Sequence, residues 1–177
     1  MWTLSLISFL LFGGYLLLMG MRFGIPDMVS DTYYQLQNTS GRKMGWLFTI
    51  VMMATAMLML CCILDTGRGV QFFAFLGCTG LAFVGVTPNY VDQTEGRMHK
   101  AGAFIAAAGC VGWCLSVLPL PTILIAAGYA VYLMATSLFK VLNGIWYISK
   151  NVKFHPWYWA EVAAFADVFS TVWVMGI

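Results

Sequence analysis

Charged residues are scarce in this chain of 177 residues. Only 9% of them are Asp, Glu, Lys or Arg, against roughly 25% in an ordinary soluble domain, and 61% are hydrophobic. A soluble domain of this length cannot bury so much apolar surface in one core, so the composition indicates a chain that lies in lipid. The formal net charge of +2 is spread over several loops, which leaves no basic patch for nucleic acid.

Several patterns that carry chemistry are also missing. The sequence has no nucleophile elbow, P-loop, dinucleotide fingerprint or zinc-protease helix motif. Its five cysteines all lie inside apolar runs, where free thiols act as small hydrophobic side chains, so no disulfide framework is expected. The two histidines, His99 and His155, are too few for a site of three histidines. No cofactor is predicted, and zinc is the alternative if a carboxylate completes a site.

Long apolar segments are abundant. A bilayer core needs about 20 mostly apolar residues per helix, and six segments meet or approach this length. Their ranges are 2–21, 45–64, 70–87, 101–118, 122–139 and 157–177. The sequence therefore predicts an all-α fold, with residues 1–177 forming one integral membrane domain of about six transmembrane helices. The first segment has neither a basic n-region nor a cleavage site and is expected to be a retained helix. Residues 141–149 fit either an extension of the fifth helix or an interfacial segment.

Basic residues lie almost wholly on one side of the predicted bundle. The tight links at 65–69 and 119–121 contain Arg68 alone, whereas the three longer connections contain the other basic residues. These are Arg22, Arg42, Lys43, Arg97, Lys100, Lys140, Lys150 and Lys153. The positive-inside rule predicts that the long connections face the cytoplasm and that both termini face outward. We expect a multi-pass protein of the inner (plasma) membrane, with membrane lipids as partners and a homo-oligomer possible.

Small residues recur along the fourth segment at four-residue spacing, at Gly102, Ala106, Cys110 and Cys114. Helices in lipid meet where small side chains let their backbones approach closely. This pattern predicts that the fourth segment is the central helix of the bundle.

Polar groups are concentrated in one loop. Residues 87–100 include Asp92 and His99 together with Glu95, Arg97 and Lys100. At the same predicted membrane face, Ser30 is a plausible N-cap of a short helix, with Asp31 at the positive end of that helix. Lipid head-group binding, or hydrogen bonds that fix the loop, would account for these groups.

A zinc site is the alternative interpretation. Histidines and carboxylates at one membrane face are the ligands of hydrolytic zinc sites, which commonly use three protein ligands and a water. The candidates are His99 and His155 with Glu161, or with Asp31 or Asp92 in its place.

Two acidic residues lie within the last segment, Glu161 near its start and Asp167 near its middle. A charge at the centre of a membrane helix costs about 2.5–3.5 kcal/mol on insertion scales, so such a residue normally faces the bundle interior and has a partner. We expect Asp167 to be protonated or hydrogen-bonded to Ser or Thr, with Ser170 and Thr171 on its face. The alternatives are a proton or ion relay, or a group lining a pore.

Short motifs are distributed along most of the chain. Ser30 follows the first helix, Gly45-Trp46 opens the second, Gly85-Val86-Thr87-Pro88-Asn89 ends a glycine-rich third, and Gly96 with His99 opens the fourth. This series resembles a bacterial six-helix membrane family of unknown function that is grouped with the eukaryotic DRAM and Frag-like proteins. The chain departs from that family in two places: Asn89 stands where an Asp is usual, with Asp92 nearby, and Glu161 lacks a basic partner.

The resemblance implies a six-helix bundle without an established enzymatic activity, whose eukaryotic relatives are associated with membrane lipids and trafficking. A more distant similarity is to ceramidase-like membrane hydrolases, which use a Ser, an Asp and three His. On that similarity Ser30 and His99 are the catalytic candidates.

The ligand-binding candidates are Ser30, Asp31, Asn89, Asp92, His99 and Glu161. The sequence thus favours a non-catalytic membrane protein with a cytoplasmic-side polar pocket, which binds lipid or a small ligand or has a regulatory role. The alternatives are a metal-dependent lipid hydrolase embedded in the membrane and an oligomeric, holin-like pore. Whether the protein is an enzyme stays open.

Overall fold

The described part of the chain consists of α-helices and contains no strand. This computed structural model describes residues 2–38, 43–146 and 153–175. Within those ranges the helices are α1 (Trp2–Phe23), α2 (Asp31–Gln37), α3 (Trp46–Thr66), α4 (Gln71–Val86), α5 (Gln93–Val117), α6 (Pro119–Trp146) and α7 (Pro156–Met175). The predicted all-α fold is confirmed.

Four helices, α1, α3, α5 and α6, are long and apolar enough to cross a membrane. The apolar helix α4 has 16 residues, and at 1.5 Å per residue it extends for about 24 Å, against about 30 Å for a bilayer core. Helix α7 has 20 residues and contains two carboxyl groups, those of Glu161 and Asp167. The count of six transmembrane helices therefore stays a prediction.

Two helices extend well beyond their predicted ranges. Helix α5 begins at Gln93 rather than at Ala101, because the Asp92 side chain caps it by accepting hydrogen bonds from the backbone N–H groups of Thr94 (2.9 Å) and Glu95 (3.0 Å). Helix α6 begins at Pro119, since proline lacks only an N–H that the first helical turn does not use. It continues through residues 141–146 as an extension of the predicted fifth helix, and residues 147–149 lie outside the described residues.

Helices α4 and α5 form the closest pair in the bundle. A Cβ added at Gly80 of α4 would lie 2.3 Å from the backbone nitrogen of Ala106 on α5. A Cβ added at Gly109 of α5 would lie 2.3 Å from the backbone nitrogen of Gly77. Helix α5 also packs against α6 and α7, whereas α3 packs against α1, α2, α4 and α7, so the predicted central position of α5 is not confirmed.

Hydrogen bonds show which connections share an end of the bundle. At one end, the indole N–H of Trp113, near the end of α5, donates to the Arg68 carbonyl in the link between α3 and α4 (3.2 Å). At the opposite end, the backbone N–H of Tyr158 in α7 donates to the carbonyl of Asp27, in the connection after α1 (2.9 Å). The described parts of the connections after α1 and before α7 therefore meet at the end opposite Arg68, as the sequence predicts.

The buried carboxyl group of Asp167 has a partner on α6. The Thr122 hydroxyl donates to Asp167 Oδ1 at 2.9 Å, and both residues are buried. The expected hydrogen bond to Ser or Thr is present, but its donor comes from a different helix than the sequence indicates. Ser170 donates instead to the backbone carbonyl of Asp167 (2.9 Å). The Thr122–Asp167 bond ties the start of α6 to the middle of α7.

Candidate functional site

Tyrosine hydroxyls attach α2 to the connection between α4 and α5. The Tyr34 hydroxyl donates to Asn89 Oδ1 (3.0 Å) and accepts from the backbone N–H of Val91 (3.0 Å). The Tyr90 hydroxyl donates to the Asp31 carboxylate. Burial, together with that carboxylate, raises the pKa of Tyr90, so the phenol keeps its proton at neutral pH. Asp31 and Asn89 therefore hold the two connections together.

The variant Tyr90→Phe is expected to lower the free energy of unfolding by about 1–2 kcal/mol, because it removes a donor from the Asp31 carboxylate. Denaturant titration in mild detergent measures this loss, and Tyr132→Phe on α6 is the control. The raised pKa means that the contribution is complete below pH 10.0, the ordinary value, and is lost as the pH rises through the folded pKa of Tyr90. Additive losses in a double-mutant cycle with Asp31→Asn would contradict the pairing.

Ser30 and His99 form a buried pair, with 4% and 6% of their surfaces exposed. Ser30 Oγ lies 2.8 Å from His99 Nε2, and His99 Nδ1 lies 2.8 Å from the carbonyl oxygen of Thr87. A carbonyl can only accept, so this network assigns the proton of the neutral imidazole to Nδ1 and leaves Nε2 as an acceptor. The Ser30 hydroxyl therefore donates to Nε2.

The position of Ser30 explains why its hydroxyl is available to His99. Ser30 occupies the predicted N-cap position of α2, yet its side chain makes no capping hydrogen bond. Its backbone is helical (φ −61°, ψ −24°) instead of extended as at most N-caps. The local pattern therefore predicts the place of Ser30 correctly but not the partner of its side chain.

Glu161 brings α7 to the same cluster. Its Oε2 accepts a hydrogen bond of 2.5 Å from the backbone N–H of Val29, the residue before Ser30. This bond places the carboxyl group beside the connection that contains Ser30. The structure thus gathers five of the predicted site residues at one end of the bundle: Ser30, Asp31, Asn89, His99 and Glu161. Asp92 is exposed and serves as the N-cap of α5.

The other histidine has a different partner. His155 Nδ1 lies 2.9 Å from Asp27 Oδ1, and the Asp27 side chain is 79% exposed. Both ring nitrogens of His99 are engaged by Ser30 and Thr87. Among the described residues, no group of three His, Cys, Asp or Glu side chains is placed to hold a metal ion. The candidate set of His99, His155 and Glu161 is not assembled in this conformation.

An apolar cavity of about 340 Å³ adjoins the cluster. Ser30 and Glu161 are the described lining residues with a hydroxyl or carboxyl group, and nearly all others are apolar. The lining is Val29, Ser30, Phe48, Met52, Met59, Ile63, Gly77, Cys78, Leu81, Val84, Ala103, Phe104, Ala106, Ala107, Cys110, Trp157, Ala160, Glu161, Ala164, Phe165, Val168 and Phe169. The cavity is therefore apolar along its length and polar at one end.

The cavity follows the bundle axis and opens to the surface. The lining residues of α3 extend from Phe48 to Ile63, a distance of about 22 Å at 1.5 Å per residue. Phe104 and Trp157 are 75% and 69% exposed and also line the cavity, so they mark an opening at the level of the polar end. An elongated apolar molecule with one polar end matches this shape.

Alanine pairs on α5 and α7 are a sequence signal for the cavity, which was not predicted from them. Ala103 and Ala107 on α5, and Ala160 and Ala164 on α7, recur at four-residue spacing, which places each pair on one face of its helix. Such stripes normally indicate close helix packing. Here both pairs line the same cavity, so the small side chains leave space between the helices instead of closing it.

No family model matches the chain, and no significant match was found among curated proteins or solved structures. The resemblance to the six-helix family therefore stays a prediction.

Proposed function

We propose that this chain is an integral membrane protein of six transmembrane helices that binds one acyl chain of a lipid in its cavity, with the polar group of that lipid at Ser30 and Glu161. The observation that carries the proposal is an apolar cavity with a hydroxyl and a carboxyl group at one end. Its volume of about 340 Å³ lies near the lower limit of ordinary ligand pockets, about 300–1,000 Å³. One chain suits this volume better than two.

Energetics favour an occupied cavity. Cavities left in protein cores cost about 24 cal/mol per Å³, so an empty space of this size would cost several kcal/mol. The opening beside Phe104 and Trp157 gives an acyl chain a lateral route in from the bilayer. A lipid chain can then restore the dispersion contacts that the cavity walls lack.

The two acidic residues of α7 are compatible with a membrane location. Asp167 has its partner in Thr122, and Glu161 accepts the backbone N–H of Val29. Polar groups inside a membrane are tolerated where they face the bundle and have partners. With the excess of Lys and Arg in the long connections, the positive-inside rule places the polar end of the cavity at the cytoplasmic face of the inner membrane.

Native mass spectrometry of the purified protein tests the proposal. We expect one lipid per chain to survive extraction into a mild detergent and to be displaced by added monoacyl lipid. Glu161→Gln should weaken the binding of a fluorescent monoacylglycerol about tenfold, since a charge-assisted hydrogen bond contributes about 1.5–3 kcal/mol. Glu95→Gln, at the start of α5, is the matched control. A protein that carries no lipid and binds none would overturn the proposal.

A further inference from the structure

We infer that Ser30 and His99 are a nucleophile–base pair that cleaves the ester bond of the lipid held in the cavity. This inference rests on the proposed function, because the cavity determines which molecule reaches Ser30. The substrate class is a carboxylic ester of a long-chain fatty acid. The apolar chain lies along the cavity, and its ester carbonyl lies at the polar end.

The geometry of the pair is that of an activated serine. A serine hydroxyl becomes a nucleophile when a general base within about 2.6–3.2 Å accepts its proton and a third group orients the base. Ser30 Oγ is 2.8 Å from His99 Nε2, and the Thr87 carbonyl fixes the opposite ring nitrogen at 2.8 Å. The backbone carbonyl thus holds the imidazole in the tautomer that can accept the proton.

Ser30 lies between the base and the cavity. Ser30 lines the cavity, whereas His99 lies behind it and does not line the cavity. A hydroxyl that only capped α2 would bond to backbone N–H groups of that helix, and this one does not. Glu161 lines the same end and is placed to accept a hydrogen bond from a hydroxyl of the alcohol portion. The nucleophile thus lies at the cavity wall, with Nε2 of the base one hydrogen bond away from it.

The chemical steps balance without a co-reactant other than water. Ser30 Oγ attacks the ester carbonyl carbon while its proton moves to His99 Nε2. The bond between that carbon and the alcohol oxygen then breaks, and the alcohol leaves with the proton from Nε2. The acyl group is now esterified to Ser30. A water molecule gives a proton to Nε2 and attacks the acyl carbon, which releases the fatty acid and returns the proton to Ser30 Oγ.

The test combines covalent labelling with reversible binding on the full chain in lipid nanodiscs. A hexadecyl fluorophosphonate should modify Ser30 with loss of fluoride, as peptide mass spectrometry would show. We expect Ser30→Ala to abolish the label and His99→Gln to slow it 100-fold or more, because Gln retains polar groups but cannot act as a base. Ser137→Ala, an exposed serine of α6, should be labelled at the wild-type rate. A fluorescent ether-linked monoalkylglycerol, which cannot be cleaved, reports binding.

The outcomes separate the inference from the proposed function. Binding of the ether probe together with His99-dependent labelling at Ser30 supports both. Binding without labelling, or labelling that His99→Gln leaves unchanged, overturns the nucleophile–base pair and leaves lipid binding standing. Neither binding nor labelling overturns both. Should Ser30→Ala or His99→Gln fail to fold, the wild-type chain still decides, because its labelled residue and its release of fatty acid from a monoacylglycerol are measured directly.

Discussion

Replacing Ala164 with phenylalanine is expected to exclude lipid from the cavity. Ala164 lies on α7 and lines the cavity one helical turn beyond Glu161, so an added ring would occupy the path of the acyl chain below the polar end. We expect the affinity for a fluorescent monoacylglycerol to fall at least 100-fold. Native mass spectrometry should show the variant without bound lipid. Because the ring fills space, the variant should unfold at a temperature equal to or above that of delipidated wild type.

Ala166→Phe is the matched control for this substitution. Ala166 lies on the same helix, is exposed and does not line the cavity. The same increase in size there should leave lipid content and affinity unchanged. If Ala164→Phe bound lipid as tightly as wild type, the bound molecule would have to lie elsewhere on the protein.

Gly109→Ala is expected to destabilise the bundle strongly. The new methyl group would lie 2.3 Å from the backbone nitrogen of Gly77, and a backbone cannot yield as a flexible side chain can. Helices α4 and α5 would have to separate, at a cost of about 3 kcal/mol, near the upper end of overpacking effects. Unfolding in mixed micelles, followed by circular dichroism, measures the loss.

Gly128→Ala on α6 separates this effect from helix propensity. Apart from the backbone of α6 itself, no described atom lies within 4 Å of a Cβ built at Gly128, so the substitution meets no other helix. Alanine is also the better helix former, by about 1 kcal/mol in water. Unchanged or slightly raised stability is expected. Equal losses in both variants would show that the close contact between α4 and α5 does not control stability.

The sequence predicts the helical fold well because composition and segment length determine it. With so few charges and long apolar runs, helices are the structure that satisfies the backbone in lipid. The small residues of α5 also mark its close contact with α4. The boundaries were less predictable: hydropathy places the start of this helix at Ala101, whereas the cap at Asp92 moves the start into the polar loop. Hydropathy does not detect an N-cap, because the capping side chain is polar and precedes the apolar residues.

The candidate site was predictable in place but not in pairing. The distribution of Lys and Arg predicts that Ser30, His99 and Glu161 lie at one face of the membrane. It does not predict which of their side chains are in contact. The Ser30–His99 bond depends on the backbone conformation at Ser30 and on the position of the Thr87 carbonyl at the end of α4. Neither follows from residue types. The partner of Asp167 is a comparable case, because Thr122 reaches it from a different helix, in the first turn of α6.

Photocrosslinking tests most directly whether the cavity holds an acyl chain with its polar group at Ser30. A monoacylglycerol with a diazirine at the end of its acyl chain should react with the lining residues farthest from Ser30, such as Met59, Ile63 and Phe169. Peptide mass spectrometry maps the label, and Ala164→Phe should remove it from these positions. Label confined to the outward-facing leucines of α1, such as Leu17 and Leu18, would contradict lipid binding in the cavity.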